Sequence, residues 1–312
     1  MFEWDTLAED SLHESAAGCL AGLAVGDALG RSATHGNMSF TGSDGAFGPS
    51  AEHQLHLEPG RTADGTAQTI CLARSLIEQR GLVPSDFVAG LVDWYEQRPD
   101  CIGLHTSKVL KLASEGEDWE KSALEVQISD PASAGSGSLV RCAPIALLDH
   151  ASPTLVIEDS RLSSRVTHAH SHCQWSCSFA NLVIVELLGG TRPVKAVDNA
   201  LAICAHRGDV NKDVIERAKH AAIHSDREAL RTSGFVLDVL ECSLWCLLHT
   251  DDFESALMQA ARLGNEVGSI CTVTGALAGA AYGLDSIPPD WLEPITEITL
   301  LEEIAVILVG IS

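Results

Sequence analysis

The stretch Gly60-Arg61-Thr62-Ala63-Asp64-Gly65-Thr66 runs directly into a helical pattern from Ala67 to Arg80. Gly60 and Gly65 are turn residues, and Asp64 or Thr66 offers an oxygen of the kind that caps a helix start. Behind them Ile70, Ala73, Leu76 and Ile77 fall on one helix face. A second junction of this kind, Gly264-Asn265-Glu266-Val267-Gly268-Ser269, opens a small-residue helix from Ile270 to Tyr282. Two oxygen-bearing loops, each opening a helix, are either two ordinary caps or the two halves of a hard-cation site.

The rest of the chain reads the same way. Hardly any segment alternates as a strand does, aromatics make up 5%, and Ala, Gly and Leu are plentiful. That composition favours closely packed helices over a β-sandwich. The expectation is an all-α fold, an orthogonal helical bundle, with residues 1–312 forming one domain.

Charge narrows the partners. With 43 acidic against 20 basic residues the net charge is −23, a field that repels nucleic-acid phosphates and anionic membrane surfaces. No apolar run approaches the ~20 residues of a membrane span, and the acidic start Met1-Phe2-Glu3-Trp4-Asp5 does not read as a signal peptide. Among the ten cysteines, Cys19, Cys71, Cys142, Cys204 and Cys271 sit among Ala, Leu and Ile, as small core residues do. These features point to a reducing, cytoplasmic setting.

In chain order, the first helix is expected over Ser11 to Val25, stopping at Gly26-Asp27-Ala28-Leu29-Gly30 with the Asp27 carboxylate free at the turn. From Arg31 to Glu58 the pattern is lost, as in a long loop that acts as a lid or lies plainly on the surface. Helices follow over Asp86–Glu96 and Ser107–Glu115, and Gly116–Pro131 reads as a variable connection. Gly135-Ser136-Gly137-Ser138-Leu139-Val140-Arg141 is the most glycine-rich loop. It lacks the Gly-Lys-Ser/Thr ending of a P-loop, but its backbone N–H groups suit phosphates. Arg141 reads as a charge at the mouth of a buried helix. In Thr167-His168-Ala169-His170-Ser171-His172-Cys173 the three histidines alternate, and Cys173 and Cys177 are one helical turn apart. That is a zinc constellation or merely the entrance to the apolar run Phe179–Leu188. Further helices are expected over Pro193–His206 and Asn211–His224, then from Gly234 through Leu248. Thr250-Asp251-Asp252-Phe253 caps another that ends at Leu263.

The order of these motifs resembles the ADP-ribosylglycohydrolase family. The matching stretches are Gly18 to Gly30, the helix opened by Thr66, Ile102 to Thr106, Gly135 to Pro144, Thr167 to His170, Gly234 to Asp238 and Gly275 to Asp285. Each is weak alone, and together in order they are specific. The resemblance implies an all-helical bundle whose cleft holds two Mg²⁺ or Mn²⁺ ions. There the ions grip ribose hydroxyls and orient a water for attack on an N- or O-glycosidic bond to ADP-ribose.

The sequence departs from that pattern at the ion-binding loops. The family's Thr-Asp-Asp-Thr is matched without a gap by Ala63-Asp64-Gly65-Thr66, and with a one-residue gap Thr62-Ala63-Asp64 restores the first hydroxyl. Gly-Asp-x-Asp-Thr becomes Asn265-Glu266-Val267-Gly268-Ser269, and a glutamate often found after the first glycine motif is Thr34 here. The surviving candidates are Asp64 and Glu266 as catalytic carboxylates. With Ser269 and Thr62 (or Thr66) they are also the candidate ligands of one Mg²⁺ or Mn²⁺ at most, or of none. Asp27, Gly135, Ser136, Gly137, Ser138, Arg141 and His168 are the expected surface for ADP-ribose or an ADP-ribosylated protein. Two functions remain open: a binder with weak or no hydrolysis, or an active hydrolase with one ion or a rearranged site. A different chemistry on the same scaffold, using His168 or His170, has only thin motifs behind it.

Overall fold

The computed structural model describes residues 3–34, 62–224 and 226–312. The stretch read as a lid therefore begins inside a helix and, beyond Thr34, lies outside the described residues, as do Gly60 and Arg61. Among the described residues the structure is helical throughout, and its one β-bridge joins Gly135 to Phe235. The first half comprises α1 (Glu3–Thr34), α2 (Asp64–Gln79), α3 (Pro84–Glu96), α4 (Leu104–Ser114), α5 (Trp119–Ser129), α6 (Ala143–Leu148) and α7 (Pro153–Arg165). The second comprises α8 (Ser171–Leu188), α9 (Pro193–Ala205), α10 (Lys212–Ile223), α11 (Val236–Leu248), α12 (Phe253–Leu263), α13 (Val267–Tyr282), α14 (Pro289–Leu292) and α15 (Ile298–Gly310). None of them is long and apolar enough to cross a membrane.

One pair of helices organises the rest. The expected stop at Gly26 does not occur, and α1 continues to Thr34. The reason lies in its glycines, which recur every fourth residue at Gly18, Gly22, Gly26 and Gly30 and so form one stripe. That stripe lies antiparallel against α13. A Cβ added at Gly18, Gly22 or Gly26 would come within 2.4, 2.3 and 2.0 Å of the carbonyl oxygens of Gly279, Gly275 and Cys271. Conversely, a Cβ on Gly275 or Gly279 would fall 2.0 or 1.9 Å from the carbonyls of Gly22 and Gly18. Real side chains never approach that closely, so the two backbones are in direct contact. Each glycine weakens its own helix by about 1 kcal/mol relative to alanine, and close packing along the seam offsets that cost.

α2 begins at Asp64, with Ala63 in the N-cap position and no side-chain cap of its own. Neither Asp64 nor Thr66 caps it, contrary to expectation. The cap comes from α1, where Asp27 lies inside the helix rather than at a turn. The span Gly116–Pro131 is not a plain connection but contains α5, whose N-cap Asp118 accepts from Glu120 and Lys121 N–H. α4 and α5 share a small core of Val109, Ala123 and Val126, separate from the main one. The main core runs through the other helices, and α15 buries Leu301, Ile304, Ala305 and Leu308 in it. All ten cysteines are free thiols.

Candidate active site

The starts of α2 and α13 are joined by the 3-10 turn Ser136–Arg141. The loop before this turn is pinned in place by backbone bonds from Ser136 N–H to Gly234 O (3.2 Å) and Val236 N–H to Ala134 O (2.8 Å). Asp238, in the matched Gly234–Asp238 motif, supports that loop from behind. Its carboxylate accepts from Arg217 (2.7 Å) and Ser233 (2.6 Å).

On the α2 side, one oxygen of the buried Asp27 carboxylate accepts from Ala63 N–H (2.7 Å), Thr66 N–H (2.9 Å) and Thr66 Oγ1 (2.7 Å). Its other oxygen accepts from Thr272 Oγ1 of α13 at 3.4 Å. Asp27 thus caps α2 from a distance and complements the positive end of its dipole. Burial raises its pKa, against the lowering effect of these hydrogen bonds. Its carboxylate is therefore engaged by protein and is not free at a turn.

Asp64 sits beside it. Its Oδ2 accepts from Gln68 Nε2 and from Gly103 N–H, each at 3.2 Å. Burial, and then the neighbouring Asp27 charge, push its pKa up to about 6. Gln68 in turn accepts from Arg141 Nη1 at 2.6 Å. Arg141 also donates to Thr167 Oγ1 (2.7 Å) and Gly137 O (3.3 Å), and lies 5.4 Å from the Phe87 ring centroid. At 1% exposure it is an internal strut, not an arm reaching for phosphate, and burial lowers its pKa to about 10. Ser138 is buried too, accepting from Ser164 Oγ at 2.9 Å.

Thr167 Oγ1 accepts from Arg141 and shares a hydrogen bond of 2.7 Å with His168 Nδ1. The ring is buried, which holds its pKa well below the ordinary value and keeps it neutral. Gly137 makes room for it, since a Cβ there would lie 3.0 Å from Nε2. His105 stacks nearby at 4.7 Å between centroids, with Nε2 donating to Thr167 O (3.0 Å) and Nδ1 accepting from Ser133 (2.9 Å).

On the α13 side, Ser136 Oγ donates to Ser269 Oγ (2.9 Å), which donates to Glu266 Oε1 (3.0 Å). Glu266 and Ser269 are half-buried. Thr62 spends its hydroxyl on Glu297 at 3.3 Å. Thr34 lies in the last turn of α1.

The zinc alternative does not hold. The chain turns into α8 at Ser171, so the alternation of the three histidines is lost. His170 Nδ1 caps α8 by accepting from His172 N–H (3.1 Å), and His172 Nε2 pairs with Asp213 (2.8 Å). Among the described residues no group of three or more His, Cys, Asp or Glu converges for an ion. The same observation tests the family's ion pair. Asp64 and Glu266 bracket the turn, Asp27 has one oxygen committed to the start of α2, and Gly65 and Gly268 carry no side-chain donor. Two adjacent dications need more compensating charge than the described residues bring together there.

Sequence reading missed Gln68, Thr167, Thr272 and Gly103. Gln68 left a local signal, four residues after Asp64 on the same helix face, and Gly103 and Thr167 lay within matched motifs without being singled out.

Comparison with known proteins agrees with this architecture. The family model described as ADP-ribosylglycohydrolase matches residues 8–311. ADP-ribosylarginine hydrolase Tri1 of Serratia proteamaculans (strain 568) is 29% identical over 305 residues, which is 93% of this chain and 77% of that protein. ADP-ribosyl-[dinitrogen reductase] glycohydrolase of Rhodospirillum rubrum is 28% identical over 306 residues, 91% of each. A solved structure described as an ADP-ribosylglycohydrolase-related protein complex superposes with TM-score 0.75 at 28% identity, covering 97% of this chain and 99% of that one. With the match spanning nearly every residue and the helical architecture agreeing with it, this chain belongs to the ADP-ribosylglycohydrolase family.

Proposed function

We propose that the cleft between the starts of α2 and α13 binds ADP-ribose or an ADP-ribosylated protein, and that hydrolysis there is weak or absent. Family membership supports the ligand class, as do the hydrolase names of the relatives. The observation that carries the loss of activity is the donor set. Asp64 and Glu266 remain, while Gly65 and Gly268 stand where the family pattern has carboxylates. Asp64 is suited to accept from a ribose hydroxyl, because its second oxygen is not among those taken by Gln68 and Gly103. The Ser136–Ser269–Glu266 chain supplies a further hydroxyl relay on the opposite side.

One feature favours the alternative, a hydrolase with one ion or a rearranged site. A carboxylate with a pKa of about 6 lies near the range a general base needs at neutral pH.

Calorimetry with ADP-ribose, with and without Mg²⁺ or Mn²⁺, separates the two. The proposal expects ADP-ribose binding that is indifferent to metal and weakened roughly 10- to 100-fold by Asp64→Asn, the scale of a charge-assisted hydrogen bond. Stoichiometric metal binding that Asp64→Ala abolishes, with turnover of ADP-ribosylated arginine or serine peptides, would overturn it in favour of the hydrolase.

A further inference from the structure

α2 turns Thr66 toward Asp27 and Gln68 toward Arg141, and its opposite face lines a cavity of about 660 Å³ against α3 and α15. The floor is apolar and half-buried, built from Ile70, Cys71, Trp94 and Leu300. Its depth comes from Gly90 in the middle of α3. A glycine at that place is a poor helix former, and a Cβ there would meet nothing closer than Cys71 Cβ at 3.8 Å. No steric demand of the fold therefore calls for glycine at this position.

The rim is acidic. Glu78, Asp86, Asp93 and Glu297 face a single cation, Arg74. Asp86 already accepts from Ser75 (2.6 Å) and Gln79 (3.2 Å), and Glu297 accepts from Thr62 (3.3 Å) and Thr296 (3.0 Å). Among the described residues Glu78 and Asp93 make no ion pair, although both are exposed. An apolar floor with unpaired carboxylates above it complements one kind of segment. That segment lays aliphatic side chains on the floor and presents arginine or lysine to the rim.

We propose that this groove docks a basic amphipathic helix of a partner protein, with leucine-like side chains over Trp94 and Leu300 and cationic heads at Glu78 and Asp93. The proposal is independent of the reading of the cleft, which uses the other face of α2.

The probe is a fluorescein-labelled helical peptide of about 14 residues with arginine and leucine at helical spacing, compared with its glutamate-for-arginine counterpart by anisotropy. The net charge of the whole chain attracts any cation, so the control removes equal charge elsewhere, with Asp251→Asn/Glu254→Gln at the start of α12. The expected result is binding of the basic peptide alone, weakened at least roughly tenfold by Glu78→Gln/Asp93→Asn and abolished by Gly90→Leu. The control double variant and ADP-ribose affinity should stay within about twofold of the parent. Equal weakening by the control, or no change on filling the groove, would overturn the proposal. Should Gly90→Leu fail to fold, Gly90→Ala, which gains helix propensity, reads the same steric effect in smaller measure, and the charge pair decides independently.

Discussion

The seam between α1 and α13 and the cleft at one end of it share those two helices, with α2 completing the cleft and with seam and site residues adjacent in sequence. Gly26 belongs to the seam and Asp27 to the cleft; Gly268 touches the seam and Ser269 the cleft. Yet the two regions differ in what they permit. Along the seam, backbone meets backbone, and Gly18, Gly22, Gly26, Gly30, Gly275 and Gly279 have no room for a single added carbon. In the cleft, polar side chains bond one another, and at Gly268 an added Cβ would meet only open space. Packing holds the architecture, so the chemistry above it is free to diverge.

The largest effect is expected where that contrast is sharpest. Gly26→Val places a Cβ 2.0 Å from the Cys271 carbonyl oxygen and 2.9 Å from Thr272 N. Only movement of a main chain relieves it, so a cost above about 4 kcal/mol and loss of the native far-UV circular dichroism and thermal transition are expected. A folded variant melting within a few degrees of the parent would mean that the seam yields, and the comparison would fail.

In the cleft the expected sign is reversed. The pKa of Asp64 is raised from 3.8 to about 6 in the folded chain, so between those values the folded state holds a proton that the unfolded state releases. The associated stability is fully present below about pH 3.8 and is lost as pH rises through 6. Above that, the ionised carboxylate carries a penalty of up to roughly 3 kcal/mol, chiefly from burial. Asp64→Asn removes the penalty. Thermal melts across pH 4 to 7 should show the variant more stable at pH 7, with the advantage shrinking toward pH 4, while ADP-ribose binding falls. A variant that melts lower than the parent at pH 7 would show that the bonds from Gln68 and Gly103 outweigh desolvation.

How much of this was legible in the sequence follows the same division. The all-α class and most helix spans could be read from local periodicity, as in α3, α9, α10 and α12. In the cleft, Glu266 and Ser269 were singled out from the sequence, and the structure joins them to each other and to Ser136. What escaped depends on distant partners. Gly26 and Gly30 read as a helix stop because glycine is a poor helix former on its own; only α13, some 240 residues later in the chain, turns them into a packing surface. Asp27 read as free because its donors lie on α2 and α13. Arg141 and Ser138 read as ligand-facing because a glycine-rich loop does not reveal which of its side chains point inward. α5 escaped for a different reason, since its sequence is polar and its core with α4 is small.

The smallest effect makes the finest distinction, because seam and cleft meet at a single contact. A Cβ on Gly30 would lie 2.2 Å from the Gly268 Cα, whereas a Cβ on Gly268 itself meets nothing within 4 Å. The same pair of residues is therefore closed from one side and open from the other. Gly30→Ala should destabilise by a few kcal/mol. Gly268→Ala should be neutral, or stabilising by up to about 1 kcal/mol through helix propensity, as differential melts would record. Gly268→Asp should also fold, since a carboxylate in the first turn of α13 suits the helix dipole, and it returns an oxygen donor beside Ser269. If calorimetry then detects Mg²⁺ or Mn²⁺ binding that the parent lacks, position 268 alone limits ion binding. If the variant folds and stays silent toward metal, the limit lies on α2. There a Cβ at Gly65 would fall 2.8 Å from Asp27 Oδ1, so the Asp27 side chain would have to shift to admit a second aspartate.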